Sequence, residues 1–274
     1  MAIHSFLKAE KGDPDWQFSP EDYFGKEFKI IDASIVELQE GKSERVVLRQ
    51  NPTEKELLAK HLKINLQKNS ILDLTILNEV DSSLQQVFLY DIHLKEGAFL
   101  NFGLFVKDGK LNKHIVQVVQ EEHSKFAGYG LISNSVNGDS EIVTKIVHQG
   151  PESFSSQLFL GIADGISQTV FQGTTIVEPE AEASQVAIEN SNLVVGDAAR
   201  CYSKPEQYIN SDYSSSVIGS ETSSISLEKV GYLQTKGINE KVAEQMIVSS
   251  FRNQVIDLIE KPEIKEEVKE MYAN

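Results

Sequence analysis

Asn192-Leu-Val-Val-Gly-Asp-Ala-Ala-Arg-Cys-Tyr-Ser-Lys-Pro205 places a short apolar run, Leu193 to Val195, before a Gly196-Asp197 breaker and then resumes with a second extended segment. A run of that length bounded by turn formers reads as a β-strand. The same alternation reaches back to residue 70. Residues 71–77, 87–90, 99–102, 115–119, 142–147, 170–171 and 175–177 are strand-like, with Lys95-Glu-Gly97, Lys107-Asp-Gly109, Asn137-Gly-Asp139 and Ala163-Asp-Gly165 between them. Breakers every ~12 to 18 residues, with no helical period in the intervals, predict an all-β core. No two-residue hairpin turn is repeated along the region. Two half-turns of this spacing complete one coil of a parallel β-helix, in which each coil buries its apolar face against its neighbours. The pattern alone leaves β-helix and sandwich both open.

On either side the text changes. Residues 1 to about 25 carry Lys11-Gly-Asp-Pro14 and Ser19-Pro20, which interrupt any period and predict an arm. Clusters at 30–31, 35–38 and 46–48 predict two or three strands, and Thr53-Glu-Lys-Glu56 predicts a short helix running through Leu57, Leu58 and His61. At the other end Leu227, Val230 and Leu233 have helical spacing before Lys236-Gly237, a helix stop. Asn239 then caps a second helix whose stripe is Val242, Ala243, Met246, Ile247, Phe251, Val255, Leu258 and Ile259, stopped by Pro262. A short charged segment follows. The expected division is an N-terminal arm with a small strand/helix segment over 1–65, a core over 66–225 and a C-terminal helical domain over 226–274. A helical tail is expected to cover the open end of a solenoid, to dock a partner, or both.

Among 274 residues, 26 are basic and 41 acidic, a formal charge of −15. That balance argues against nucleic acid, whose phosphates are bound by Lys and Arg displacing counterions. Cys201 is the only cysteine, which excludes an internal disulfide, a Cys-x-x-Cys pair and a self-contained cysteine metal cage. No secretory signal pattern and no run of ~18 apolar residues is present, so the expected location is cytoplasmic, without a membrane span.

Candidate chemistry is sparse. His93 and His114 stand 21 residues apart and in a solenoid would be candidates for ligands on adjacent coils; with no supporting cysteine, no metal site is expected. There is no P-loop, no complete dinucleotide fingerprint at Gly128-Tyr-Gly130 and no Gly-x-Ser-x-Gly. Glu121-Glu122 and Glu178-Pro-Glu180-Ala-Glu182 offer paired carboxylates of the kind β-helix polysaccharide-cleaving enzymes use. In so acidic a chain such pairs also arise without function, and the single tryptophan, Trp16, lies in the arm. No catalytic residue is expected.

From about 143 to 259 the chain resembles the SufB/SufD family of iron–sulfur cluster assembly proteins. The resemblance is carried by His148-Gln-Gly-Pro151, Ser155 to Gly165, Thr169-Val-Phe171-Gln-Gly173-Thr-Thr-Ile-Val177, Ala181, Gln185, Asn190 to Arg200, Ser203-Lys-Pro205, Tyr208-Ile209, and Tyr232-Leu-Gln-Thr-Lys-Gly237-Ile238 followed by a helix ending in Ser250-Phe251. It implies a right-handed parallel β-helix followed by a helical domain. It further implies a non-catalytic, SufD-like subunit that docks a SufC-like ATPase through its C-terminal helices, at Tyr232, Lys236, Gly237, Ile238 and Phe251. A SufB-like subunit or a second copy would lie beside it. No cofactor is implied as firmly bound by this chain alone; a transient iron–sulfur cluster belongs to the complex. The family's cluster-site histidine falls on Ile218, with Gly219 following, and the SufB cysteine falls on or near Ala199. Cys201 is two residues from that point, on the same strand face, and is the one thiol able to act as a displaced ligand. The alternative reading is a β-helix carbohydrate-active enzyme using paired carboxylates.

Overall fold

The computed structural model describes residues 30–50, 58–135 and 137–273. Along the chain it places strands β1 (Ile30–Leu38), β2 (Ser43–Arg49), β3 (Leu58–Leu66), β4 (Ile71–Glu79), β5 (Gln85–Leu94), β6 (Phe99–Lys107), β7 (Leu111–Gln120), β8 (Lys125–Asn134), β9 (Asp139–His148), β10 (Phe154–Ala163), β11 (Gln168–Val177), β12 (Gln185–Val194), β13 (Arg200–Ile209) and β14 (Ser215–Ser224). Helices α1 (Leu227–Thr235), α2 (Glu240–Ile256) and α3 (Pro262–Met271) follow. Odd strands form one seven-stranded parallel sheet and even strands the other, each in chain order. This is a parallel β-helix with a helical tail.

The corners that lead from an odd strand to the next even strand share a device. One residue with positive φ sits in each of these: Gly41, Asn69, Gly97, His123, Glu152, Ala183 and Tyr213. Six of the seven corners place a small residue directly after it: Ser70, Ala98, Ser124, Ser153, Ser184 and Ser214. Ser70, Ser124 and Ser153 turn their hydroxyls back to the carbonyl three residues earlier, satisfying a backbone acceptor inside the turn. Because the left-handed residue need not be glycine, the corner repeats in geometry more than in sequence.

Between the sheets, side chains stack in columns set by the parallel register. Leu74, Phe102, Gly128, Gln157, Ile188 and Ile218 form one such column. Phe102 packs between Tyr90 and Phe126 with ring centroids 5.5 and 6.2 Å away. Gly128 leaves room for those rings; a Cβ there would lie 2.8 Å from Phe126. The Gly128-Tyr-Gly130 pair therefore serves interior packing in β8.

Four expectations are corrected. The solenoid starts before residue 65, since β1 to β3 already pair within the two sheets. In β3 the two-residue alternation of buried Leu62, Ile64 and Leu66 overrides the helix reading that included Leu58 and His61; the rest of that helix, at 51–57, and the arm over 1–25 lie outside the described residues. Pro262 does not stop α2, which ends six residues earlier, but opens α3, where its missing N–H costs no helical bond. Finally, the tail does not cover the end of the solenoid. Val255, Ile256, Ile259, Ile264, Val268, Met271 and Tyr272 instead pack on the outer face of the even sheet, against Leu77, Phe105, Leu131, Leu160 and Leu193.

The tail is fastened there at its last residues. Tyr272 is buried, with its hydroxyl 3.1 Å from the carbonyls of both Val106 and Leu131. Lys107 donates to the Met271 carbonyl at 2.6 Å, and Arg252 donates to that of Tyr272. Arg49 adds a two-pronged pair with Glu267 at 2.5 and 2.6 Å.

Candidate functional site

The last coil, β13 and β14, differs from the middle coils in lying at an end of both sheets, as the first coil, β1 and β2, does at the other. Each strand has a partner on one side only, β11 for β13 and β12 for β14, so two ten-residue backbone edges are unpaired among the described residues. Such edges are templates for another chain. Apolar residues stay exposed around them: Tyr202, Tyr208, Tyr213, Val217 and Ile218. Ile218 pairs in register with the fully buried Ile188. It therefore points into the solenoid interior, yet it is 49% exposed because no coil follows.

Cys201 points into the same interior from β13, beside Thr169 on β11. It is half-buried; Thr169 donates to its sulfur at 3.1 Å, and burial pushes its thiol above the usual range. A thiol held protonated is a poor nucleophile and metal ligand. Ala199 is buried one residue ahead of β13. With isoleucine at 218, the interior of the last coil presents no imidazole, and no group of three His, Cys, Asp or Glu side chains among the described residues is arranged to hold a metal ion.

The docking residues named from the sequence divide into two places. Ser226 and Asn239 cap α1 and α2 by accepting from Lys229 N at 3.2 Å and Val242 N at 3.0 Å. Between the helices, Gly237 has φ +86°, a conformation glycine adopts without strain, which lets the Ile238 N–H close back onto the Leu233 carbonyl at 3.2 Å. Tyr232 is exposed, with the Lys236 ammonium 5.5 Å above its ring. Tyr232, Lys236, Gly237 and Ile238 thus form one turn. Phe251 is elsewhere, half-buried against the cluster that joins the tail to the even sheet. The apolar surface left open on α2 is Val242 and Met246, flanked by Gln245, Ser249 and Asn253. Both belong to the stripe read from the sequence; that stripe is wider than the face the solenoid covers.

The other candidates separate. His114 is buried and bonded to Tyr90 Oη at 3.0 Å and Asn112 Oδ1 at 2.9 Å, and burial pushes its pKa down to about 3. His93 lies on the outer face, 3.2 Å from Glu121. The register sets Phe88 beside His114 and Val119 beside His93, so the two histidines do not meet. Burial works against ionisation of Glu121, but hydrogen bonds and charge from Lys95 and His93 outweigh it and hold its carboxyl below the usual range. A glycosidase acid needs the reverse shift. Glu180 and Glu182 project from an exposed corner. A cleft between α2 and the even sheet is lined in part by Lys107 and Arg252, but both cations already bind main-chain carbonyls of the tail. No described helix is long and apolar enough to cross a membrane.

Comparison with known proteins gives the family. Residues 24–251 match the model of the SufBD core domain of the SUF system for FeS cluster assembly. The chain is 29% identical over 179 residues to the iron–sulfur cluster assembly protein SufD of Escherichia coli, covering 65% of this chain and 42% of that protein. It is 28% identical over 153 residues to an iron–sulfur cluster assembly SufBD family protein of Synechocystis, covering 55% and 33%. A chloroplastic protein of Arabidopsis thaliana, ABCI7, is 24% identical over 239 residues, 86% of this chain and 48% of that one. The matches span between a third and a half of these relatives' lengths. Fold, register and matched residues agree on one conclusion: the chain belongs to the SufBD core family of the SUF iron–sulfur cluster assembly system.

Proposed function

We propose that this chain is a SufD-like, non-catalytic subunit of a cytoplasmic SUF complex. The observation that carries the reading is the uncapped last coil. Two unpaired ten-residue edges with exposed Val217, Ile218 and Tyr208 are suited to continuation by another β-helix end, through main-chain hydrogen bonds and burial of the open interior. The second chain is a SufB-like subunit or another copy of this one. The turn of Tyr232, Lys236, Gly237 and Ile238, with the open face of Val242 and Met246, receives a SufC-like ATPase. Iron–sulfur chemistry is placed in the complex, with any cluster transient and its ligands supplied largely by the partner, because isoleucine replaces the ligand histidine and Cys201 is held as a thiol.

Co-expression of tagged protein with its SufB-like and SufC-like neighbours tests this. Both are expected in the eluate. Ile218→Lys should release the second β-helix chain and keep the ATPase; Met246→Asp should do the opposite. Recovery of neither partner from the unmodified chain, or cleavage of a polysaccharide by the purified protein, would overturn the reading.

A further inference from the structure

Three sulfur atoms belong to the described residues, in Cys201, Met246 and Met271. Two of them are closed to an oxidant. Cys201 is half-buried and accepts a hydrogen bond from Thr169 at 3.1 Å, and thiol oxidation runs through the thiolate that this burial disfavours. Met271 is 9% exposed and packs within the cluster that joins the tail to the even sheet. Met246 differs from both. It is 46% exposed, and a thioether has no proton to lose, so its oxidation depends on access and not on ionisation.

The surroundings of Met246 are those of a contact surface. It lies one helical turn from Val242 on one side and from Ser249 and Ser250 on the other, along an open groove on the outer side of α2. Asp257, just past the end of the helix, is the one charged residue on that groove among the described residues. The charged residues within the helix, Glu240, Lys241, Glu244 and Arg252, lie off it. Loss of charge around exposed apolar side chains is the compositional mark of an interface core, where methionine is enriched.

We propose that Met246 is an oxidation site that controls docking on α2: a peroxide converts its thioether to the sulfoxide, and the sulfoxide form holds the partner less tightly. The step needs no other group from the protein. A sulfur lone pair takes one peroxide oxygen as the O–O bond breaks, sulfur is oxidised by two electrons, and the second oxygen leaves as water with the two peroxide hydrogens. Both C–S bonds stay intact. A partner covering Met246 removes water from an apolar group in the thioether form and from a polar S=O group in the sulfoxide form, and the second removal is costly unless a donor replaces the water. The loss of docking rests on the proposed reading of this face as the ATPase surface.

The full chain is treated with hydrogen peroxide, freed of it, and only then mixed with the untreated SufC-like ATPase. Peptide mass mapping should show the added oxygen on Met246 at least ~10-fold sooner than on Met271, whose oxidation waits on local opening. Affinity for the ATPase, read by titration, should fall about 10-fold as Met246 is oxidised, with the urea midpoint of the chain unchanged. Methionine sulfoxide reductase with a thiol reductant should restore the affinity. Met271→Leu should respond to peroxide as the parent does, and in Met246→Leu the treated and untreated affinities should be equal. Oxidation of Met271 or Cys201 ahead of Met246, affinity unchanged by completed Met246 oxidation, or a loss that persists in Met246→Leu would each overturn the proposal. Absence of binding by the untreated chain would instead remove the docking reading, and the control of docking with it.

Discussion

In the middle of the solenoid, interior columns run through Leu74 and Phe102, or through Phe88 and Ile142, and every such side chain is buried. In the last coil the same columns arrive at Ile218 and Ser203, the first half exposed and the second carrying a buried hydroxyl without a partner. The backbone geometry does not change between these regions. What changes is whether a neighbouring coil supplies the other half of the core. A middle coil is complete within the chain, whereas the last coil has the shape of a coil and lacks its neighbour. In a quasi-one-dimensional fold that difference leaves unburied core at the end.

The largest test of the contrast is truncation of matched interior residues. Phe102→Ala should lower unfolding free energy in urea by ~3–5 kcal/mol, the usual range for a buried ring. Ile218→Ala, in the same column, should cost less than ~1 kcal/mol in the isolated chain. Should the two cost the same, the last coil is closed in solution and the contrast fails. In the assembled complex the second value should rise, because burial then includes the partner.

Acid sharpens the same comparison. Burial pushes the His148 pKa down to about 4, with its nitrogens 2.7 Å from Ser153 Oγ and 2.8 Å from Ser155 Oγ. A depressed folded pKa means the interior accepts the neutral ring. Its contribution is full above the unfolded value near 6.5 and is lost as pH falls from there through 4, by roughly 3 kcal/mol in the limit. The stability gap between the parent and His148→Gln should therefore shrink between pH 7 and pH 4.5. The gap for Ile218→Ala should stay flat over that window.

The tail provides a third, smaller contrast. Phe251→Asp puts a charge against the cluster joining α2 to the even sheet and should cost ~2 kcal/mol or more in the isolated chain. Met246→Asp, on the open face, should change stability by less than ~0.5 kcal/mol and be visible only as lost ATPase binding in a pull-down. Phe251 therefore reports on docking only through the fold. The exposed Gln245 on the same helix is the solvent control.

The sequence reading of the fold succeeded where a two-residue alternation met a strong breaker, as around Lys107-Asp-Gly109. It stopped short of choosing the solenoid because the repeat lies in backbone angles. Asn69, Gly97, His123, Glu152 and Ala183 do one job with five residue types, at intervals of 26 to 31 residues. The serine after most of them was the available signal, and it is small and common. The start of the solenoid was placed late because an acidic Thr-x-x-Glu motif competed with the alternation in β3. For the candidate site, the α1–α2 turn was legible through its glycine and its caps. The open coil was not, since a sequence gives an interior residue the same letter whether or not another coil follows it.

Cys201 carries a small expected effect and is the sharpest probe of what the last coil does. Thr169 donates to its sulfur, and the interior around it is polar at this end. Serine keeps the position's size and accepts the same hydrogen bond, so Cys201→Ser should shift the urea midpoint by an amount corresponding to less than ~1 kcal/mol. Iron content and partner recovery of the co-expressed complex should be unchanged, because a thiol whose pKa burial has raised offers little thiolate to bind metal. The informative failure is loss of iron with assembly intact. That result would mean that partner docking places a cation beside residue 201 and lowers the thiol pKa in the complex, making this coil's interior part of the cluster site instead of its wall.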